Sequence, residues 1–210
     1  ELRGFVEDHQ VLTALRSAVA AGAVAARGGG YFGAPVNLAA RLAAYQRALP
    51  DSWGEQYLSR RGISLELAQR LGIGYPAPGT WLNRDWKWGR VVVPHTTPDG
   101  RLVNLYGRAI GDNQAVPKAL RHDHLPGDKG YFHACALREG SGPVYVSEGA
   151  FDTLSLMMAG VERAVAIFGT EGWRWEWAHG VRELVLAFDA DRAGERVVGG
   201  DRPIGIDPDD

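Results

Sequence analysis

Three carboxylates, Glu148, Asp189 and Asp191, stand where two short apolar runs end. The first run is Val144-Tyr145-Val146-Ser147, followed by Glu148-Gly149. The second is Leu184-Val185-Leu186-Ala187-Phe188, followed by Asp189-Ala190-Asp191. A fourth acid, Asp152, comes four residues after Glu148, one turn on and on the same face if the segment is helical. Carboxylates brought this close repel one another unless a cation lies between them. Hard oxygen donors beside phosphate chemistry suit Mg2+ or Mn2+. A plainer reading makes Glu148 a helix cap and Asp189 and Asp191 solvated turn acids.

The segments between these acids decide whether they can meet. Ala150–Gly160 reads as helix and Ala164–Gly169 as strand, so the order from Val144 onward is β-α-β-α-β. That order implies a parallel sheet with crossover helices. Ligands of such sheets bind beyond the carboxyl ends of the strands, where Glu148, Asp189 and Asp191 all fall. Two acidic motifs in this order, with these elements between them, resemble the Toprim domain shared by bacterial primases, topoisomerases and some nucleases.

Charge is divided unevenly along the 210 residues. Residues 1–142 carry 17 Lys or Arg against 12 Asp or Glu, whereas residues 143–210 carry 6 against 13. A basic part beside an acidic part is what a polyphosphate site with bound metals requires. No apolar run approaches the ~20 residues of a membrane span, and Glu1-Leu2-Arg3-Gly4 has no signal-peptide core. The single cysteine, Cys135, excludes an internal disulfide and a cysteine-rich zinc ribbon in this chain, and it fits a cytoplasmic location.

Upstream, residues 7–27 read as an alanine-rich helix and Gly28–Gly33 as a flexible linker. The G-x-G-x-x-G match in that stretch follows a helix-like segment instead of a strand, so it fails as a dinucleotide fingerprint. Asn37 is placed to cap a helix over residues 38–49, stopped by Pro50. Ser52-Trp53-Gly54-Glu55 is a capping-box pattern for a third helix, and Ser64 opens a fourth that stops at Gly72. Arg60 and Arg61 read as a solvated face, with a phosphate contact as the alternative. Arg90–His95 and Arg101–Ile110 read as a hairpin across Pro98-Asp99-Gly100, with Pro94 marking an edge strand.

Tyr57-Leu58-Ser59-Arg60-Arg61-Gly62-Ile63-Ser64, then Leu71-Gly72-Ile73-Gly74-Tyr75, and then the hairpin as far as Pro117-Lys118, resemble the catalytic core of bacterial DNA primases. The resemblance runs from about residue 53 to the end. It implies an α+β basic subdomain (residues 51–142) followed by an α/β Toprim domain with a parallel sheet (residues 143–210). Residues 1–50 form a helical lead-in and linker. It also implies that Arg108 and Lys118 face the incoming nucleotide and the template, with Lys129 in the same lining. A guanidinium gripping two phosphate oxygens and a compact ammonium suit that role.

The implied reaction is template-directed nucleotidyl transfer, making short RNA primers on single-stranded DNA from NTPs. Asp189, Asp191 and Asp152 would hold two Mg2+ or Mn2+ ions. Glu148 would complete that site or assist removal of the 3′-hydroxyl proton. The family's zinc-binding and helicase-contacting modules have no counterpart in these residues, and no zinc is expected. A replicative helicase or another replication protein is an expected partner. Asp207 and Asp209 resemble the family's last acidic motif and are candidate metal ligands, but they follow Asp191 too closely for the usual helix and strand to intervene.

A Toprim nuclease using the same acids and a non-catalytic nucleic-acid-binding module are the alternatives. His122, His124, His133 and Cys135 fit no zinc spacing and read as solvated. Trp173, Trp175 and Trp177 read as core or interface packing, with base stacking as the other reading.

Overall fold

The computed structural model describes residues 25–27, 30–81, 88–111, 116–169 and 172–188. Strands β1 (Ala25–Arg27) and β2 (Gly30–Phe32) pair antiparallel. The linker expected over Gly28–Gly33 is therefore corrected. Backbone pairing between Ala25–Phe32 and Arg27–Gly30 makes a strand of what composition alone reads as flexible, and Ala25–Arg27 is not a helix end. The rest of the expected first helix lies outside the described residues.

Helix α1 (Ala34–Arg47) begins after Gly33 with Pro35 in its first turn, where a missing N–H costs nothing. Asn37 is inside the helix and does not cap it, because the chain enters helical geometry three residues earlier. Helix α2 (Trp53–Arg60) is capped as its sequence requires: Ser52 Oγ accepts from Glu55 N at 3.2 Å. Glu55 returns the bond one residue early, accepting from Asp51 N at 2.6 Å. In α3 (Leu65–Arg70), Ser64 Oγ accepts from Leu67 N at 3.2 Å.

Strands β3 (Arg90–Thr96), β4 (Leu102–Ala109) and β5 (His122–His124) form an antiparallel sheet with β4 in the middle. Pro94 sits on edge strand β3, opposite Leu105, where the ladder can spare its donor. Residues 74–75 bridge β3 to α1: Gly74 pairs with Val92, and Tyr75 N donates to Tyr45 O at 2.8 Å. A Cβ at Gly74 would lie 2.6 Å from Tyr45 Cβ, so glycine permits this close approach.

The second sheet is parallel, in the order β7 (Ala164–Ala166), β6 (Val144–Ser147), β8 (Leu184–Ala187). Helix α4 (Ala150–Met158) makes the first crossover, burying Ala150, Thr153 and Leu154. Among the described residues the second crossover holds a 3-10 turn, Trp175–Trp177, in place of the expected helix. Its alternating tryptophans carry no 3.6-residue period. Trp173 and Trp177 pack against Tyr131 and Trp175 is 53% exposed.

Two residues stitch the sheets together. Tyr131 pairs with Thr96 at the end of β3, and Phe132 pairs with Ala166 at the end of β7. One apolar cluster runs through both layers, from Leu58, Val91 and Tyr106 to Phe132, Leu154 and Ala166. Sheet pairing and shared core together fix how the face of the antiparallel sheet meets the edge of the parallel one. No helix among the described residues is long and apolar enough to cross a membrane.

Candidate active site

The carboxyl edge of the parallel sheet is fixed by register. Ser147 pairs with Ala166 of β7 and with Ala187 of β8, so all three strands end level. Glu148 is the first residue past β6, half-buried, and its carbonyl accepts from Gly169 N at 3.3 Å. Its Oε1 is enclosed by protein. Asp152 lies in the first turn of α4, where a negative charge is favoured by the helix dipole. Its carboxylate folds back over Gly149: a Cβ on that glycine would lie 2.7 Å from Asp152 Oδ2. Glu148 and Asp152 thus stand at one strand-to-helix junction.

Asp189, Asp191, Asp207 and Asp209 lie outside the described residues. The chain is described as far as Phe188, one residue past the end of β8. Among the described residues no three His, Cys, Asp or Glu side chains converge on a metal-sized point. The two acids that are placed offer hard oxygen donors, the kind Mg2+ and Mn2+ prefer, and in that respect they fit such an ion.

The basic candidates belong to the facing sheet and its loops. Arg108, on β4, sits opposite His122 on β5, with Arg108 Nη1 2.6 Å from His122 Nε2. Lys118 begins an exposed 3-10 turn, Lys118–Leu120, just before β5. Lys129 is exposed on the loop after β5. It lines a cleft of about 820 Å³ together with Phe168, Gly169 and Arg174. The residues just past β7, Ile167 to Gly169, form the opposite wall of this cleft; Gly169 N donates to the Glu148 carbonyl, but the Glu148 and Asp152 side chains are not among its lining. A larger cleft, about 960 Å³, shares Lys129 and Arg174 and adds Arg41, Arg101 and Arg138.

Sequence reasoning passed over the group that joins the two sheets. Phe168, held at φ 57°, stacks on His95 with ring centroids 3.9 Å apart and packs against Tyr106 and His124. His95 is fully buried: Nδ1 contacts the Gly130 carbonyl at 3.0 Å and Nε2 lies 3.1 Å from His124 Nδ1. Burial, with His124 alongside, pushes the His95 pKa down to about 3. Burial and Lys129 push His124 down to about 4. The expectation of solvated histidines is corrected for His124 and His133. His124 is enclosed by the aromatic group, and His133 Nδ1 bonds the Ala164 carbonyl at 2.9 Å. Arg60 and Arg61 are exposed, as a solvated face requires, and the Arg61 guanidinium also lies 4.9 Å from the Phe151 ring, beside the first turn of α4.

This arrangement has known relatives. The Toprim-like family matches residues 145–200. A DNA primase of Pseudomonas putida is 27% identical over 179 residues, covering 67% of this chain and 27% of its own length. One from Thermotoga maritima is 30% identical over 143 residues, covering 64% and 25%. The Aquifex aeolicus primase structure, of zinc-binding and RNA polymerase domains, superposes with a TM-score of 0.61 at 22% identity, over 78% of this chain and 49% of that one. The chain has the fold of a bacterial primase catalytic core. It spans about a quarter of the length of the curated primases it matches. Within the primase-core fold, the strand-to-helix junction carrying Glu148 and Asp152 falls in the Toprim-like segment. Arg108, Lys118 and Lys129 precede that segment.

Proposed function

We propose that this chain is the catalytic core of a DNA primase, joining NTPs into short RNA primers on a single-stranded DNA template. One observation carries the reading. Glu148 and Asp152 stand together at the carboxyl edge of the parallel sheet, and the β7 end of that same edge lines the cleft with Lys129, on a fold shared with primase cores. In this reading residues 51–142 supply most of the cationic lining, joined by Arg41 and Arg174, and residues 143–210 supply the acidic Toprim part.

Glu148, Asp152, Asp189 and Asp191 would hold Mg2+ or Mn2+, with Asp207 and Asp209 as further candidates. When bound, such ions lower the pKa of the attacking 3′ hydroxyl and neutralise charge on the leaving pyrophosphate. The chain's own residues do the rest. Arg108 grips the triphosphate through its fork of N–H groups. Lys118 and Lys129 neutralise phosphates of the nucleotide or template. Glu148, half-buried beside the edge, receives the hydroxyl proton or completes the ligand set. The cleft lined by Arg41, Arg101, Arg138 and Arg174 offers a cationic path for the template strand. A helicase or other replication protein would deliver that strand.

The decisive assay supplies single-stranded templates, labelled NTPs and Mn2+. Labelled oligoribonucleotides uphold the reading. Shortened template would indicate a nuclease, and binding with neither product would indicate a non-catalytic module.

A further inference from the structure

We propose that His122 is a positioning residue that aims Arg108, braced from behind by Tyr106. The proposal rests on the reading of Arg108 as a phosphate-binding group. The two residues face each other across β4 and β5, with Arg108 Nη1 2.6 Å from His122 Nε2. A guanidinium has donors and no acceptor, so Nε2 must be the acceptor. The one proton of the neutral ring then sits on Nδ1, which donates to Tyr106 Oη at 2.7 Å.

Tyr106 suits the role of anchor. It is 5% exposed, and burial pushes its pKa up to about 12, so its hydroxyl stays neutral and available. It is also locked among His124, Phe168 and the sheet core. The chain of contacts is therefore Tyr106, His122, Arg108, with a buried aromatic at one end and the guanidinium at the other. Occupying one N–H of Arg108 from the side restricts a long, flexible side chain and so fixes the direction in which its guanidinium faces.

The surroundings keep His122 neutral. Arg108 and Tyr106 face it from β4, Asp123 and His124 follow it on β5, Arg121 precedes it at the end of the Lys118–Leu120 turn, and Arg90 acts on it from β3. Arg61, from the turn after α2, acts on Tyr106. Partial loss of water around the ring, and then the positive charges of Arg108, Arg121 and Arg90, hold the imidazole below its ordinary range. Once His122 does take up a proton, Nε2–H points at the guanidinium. Two donors then face each other, and the brace fails. Arg108 is thus held in neutral solution and released as the pH falls below the usual histidine range.

The test uses the full chain in the primer assay, with the KM for NTP and kcat measured from about pH 5 to 8. Variants are R108A, H122A, H122Q and Y106F. A separate arm follows the His122 ring by NMR titration in the wild type and in R108A. H122A is expected to raise the KM for NTP about tenfold. The R108A/H122A double variant should be no worse than R108A. In H122Q, whose neutral amide oxygen accepts at every pH, KM should return to within about threefold and its rise in acid should vanish. Y106F should lie between wild type and H122A. His122 should titrate below 6.5 in the wild type and move upward in R108A.

An unchanged KM in H122A, or the same acid rise in H122Q, overturns the proposal. If no primers form, or R108A primes normally, the functional reading falls instead. The titration arm still decides the brace: an unmoved His122 in R108A refutes it and an upward move upholds it.

Discussion

The hydroxyls of Ser147 and Thr153 lie 2.7 Å apart in a space closed to solvent, across the junction that carries Glu148. Ser147 Oγ also donates to the Gly149 carbonyl at 3.1 Å, so Thr153 must donate to Ser147. The pair ties the end of β6 to the first turn of α4, and every acid at that junction depends on the tie. Ser147→Ala takes the acceptor from the buried Thr153 hydroxyl and one of two donors from the Gly149 carbonyl, which keeps its bond from Thr153 N at 3.2 Å, and should cost about 2 kcal/mol. Thr153→Val removes only one donor and should cost about 1 kcal/mol. Urea denaturation of both variants checks the order, and equal losses would remove the asymmetry.

Gly149 offers a way to move Asp152 without unfolding the chain. Its backbone, φ −115° and ψ 149°, is open to any L-residue, yet an added Cβ would meet Asp152 Oδ2 at 2.7 Å. In Gly149→Ala the carboxylate must swing away while the strand and helix stay in place. Primer synthesis should fall by roughly 10²-fold, because displacement of a reacting group by about 1 Å costs that much. Stability should change by less than about 1 kcal/mol. Full activity together with a crystallographically displaced Asp152 would show that this acid is not needed.

The buried histidine makes the fold acid-sensitive. In the unfolded chain His95 takes up a proton near pH 6.5, whereas in the folded protein burial, and then His124, keep it neutral down to about pH 3. Between those values the unfolded state binds more protons. Stability therefore falls as the pH drops through that window and levels off below it. The full effect is about 5 kcal/mol. His95→Asn should be less stable at neutral pH, from lost stacking on Phe168, but its stability should fall less steeply between about pH 6.5 and 4. Denaturation curves at stepped pH give both slopes, and parallel slopes would clear His95 of this role.

How much of this was legible beforehand follows from physical scale. The strand–acid–helix unit at Val144–Asp152 is local, with apolar alternation, a glycine at the junction and acids at fixed offsets, and it forms as read. The caps at Ser52 and Ser64 are local too. What escaped depends on partners far along the chain. His122-Asp123-His124 looks like polar loop until β4 supplies a strand to pair with. Gly30–Phe32 looks like linker until Ala25–Arg27 lies beside it. His95 becomes a buried histidine only when the loop at Gly130 and the end of β7 close over it. Arg61 gains a place by the site only through Phe151, 90 residues on.

Arg90 yields the last prediction, because it links the core to the turn carrying Lys118. It is 1% exposed, lies 5.8 Å from the Trp81 ring, and donates to the carbonyls of Gly107 and Leu120, both at 2.9 Å. The first bond fixes β4 one residue before Arg108, and the second fixes the end of the Lys118–Leu120 turn. Both basic candidates are thus held by one guanidinium. Arg90→Met fills a similar volume but supplies no donor, so two carbonyls lose theirs at a cost of about 2–4 kcal/mol. Arg90→Lys keeps the charge but not the fork, and it should hold one carbonyl and recover about half of that loss. The local signature is faster amide exchange at Arg121, whose N–H closes the turn onto Lys118, with β6 and β7 unaffected. Uniformly faster exchange through both sheets would mean that Arg90 serves the whole core and has no special hold on the Lys118 turn.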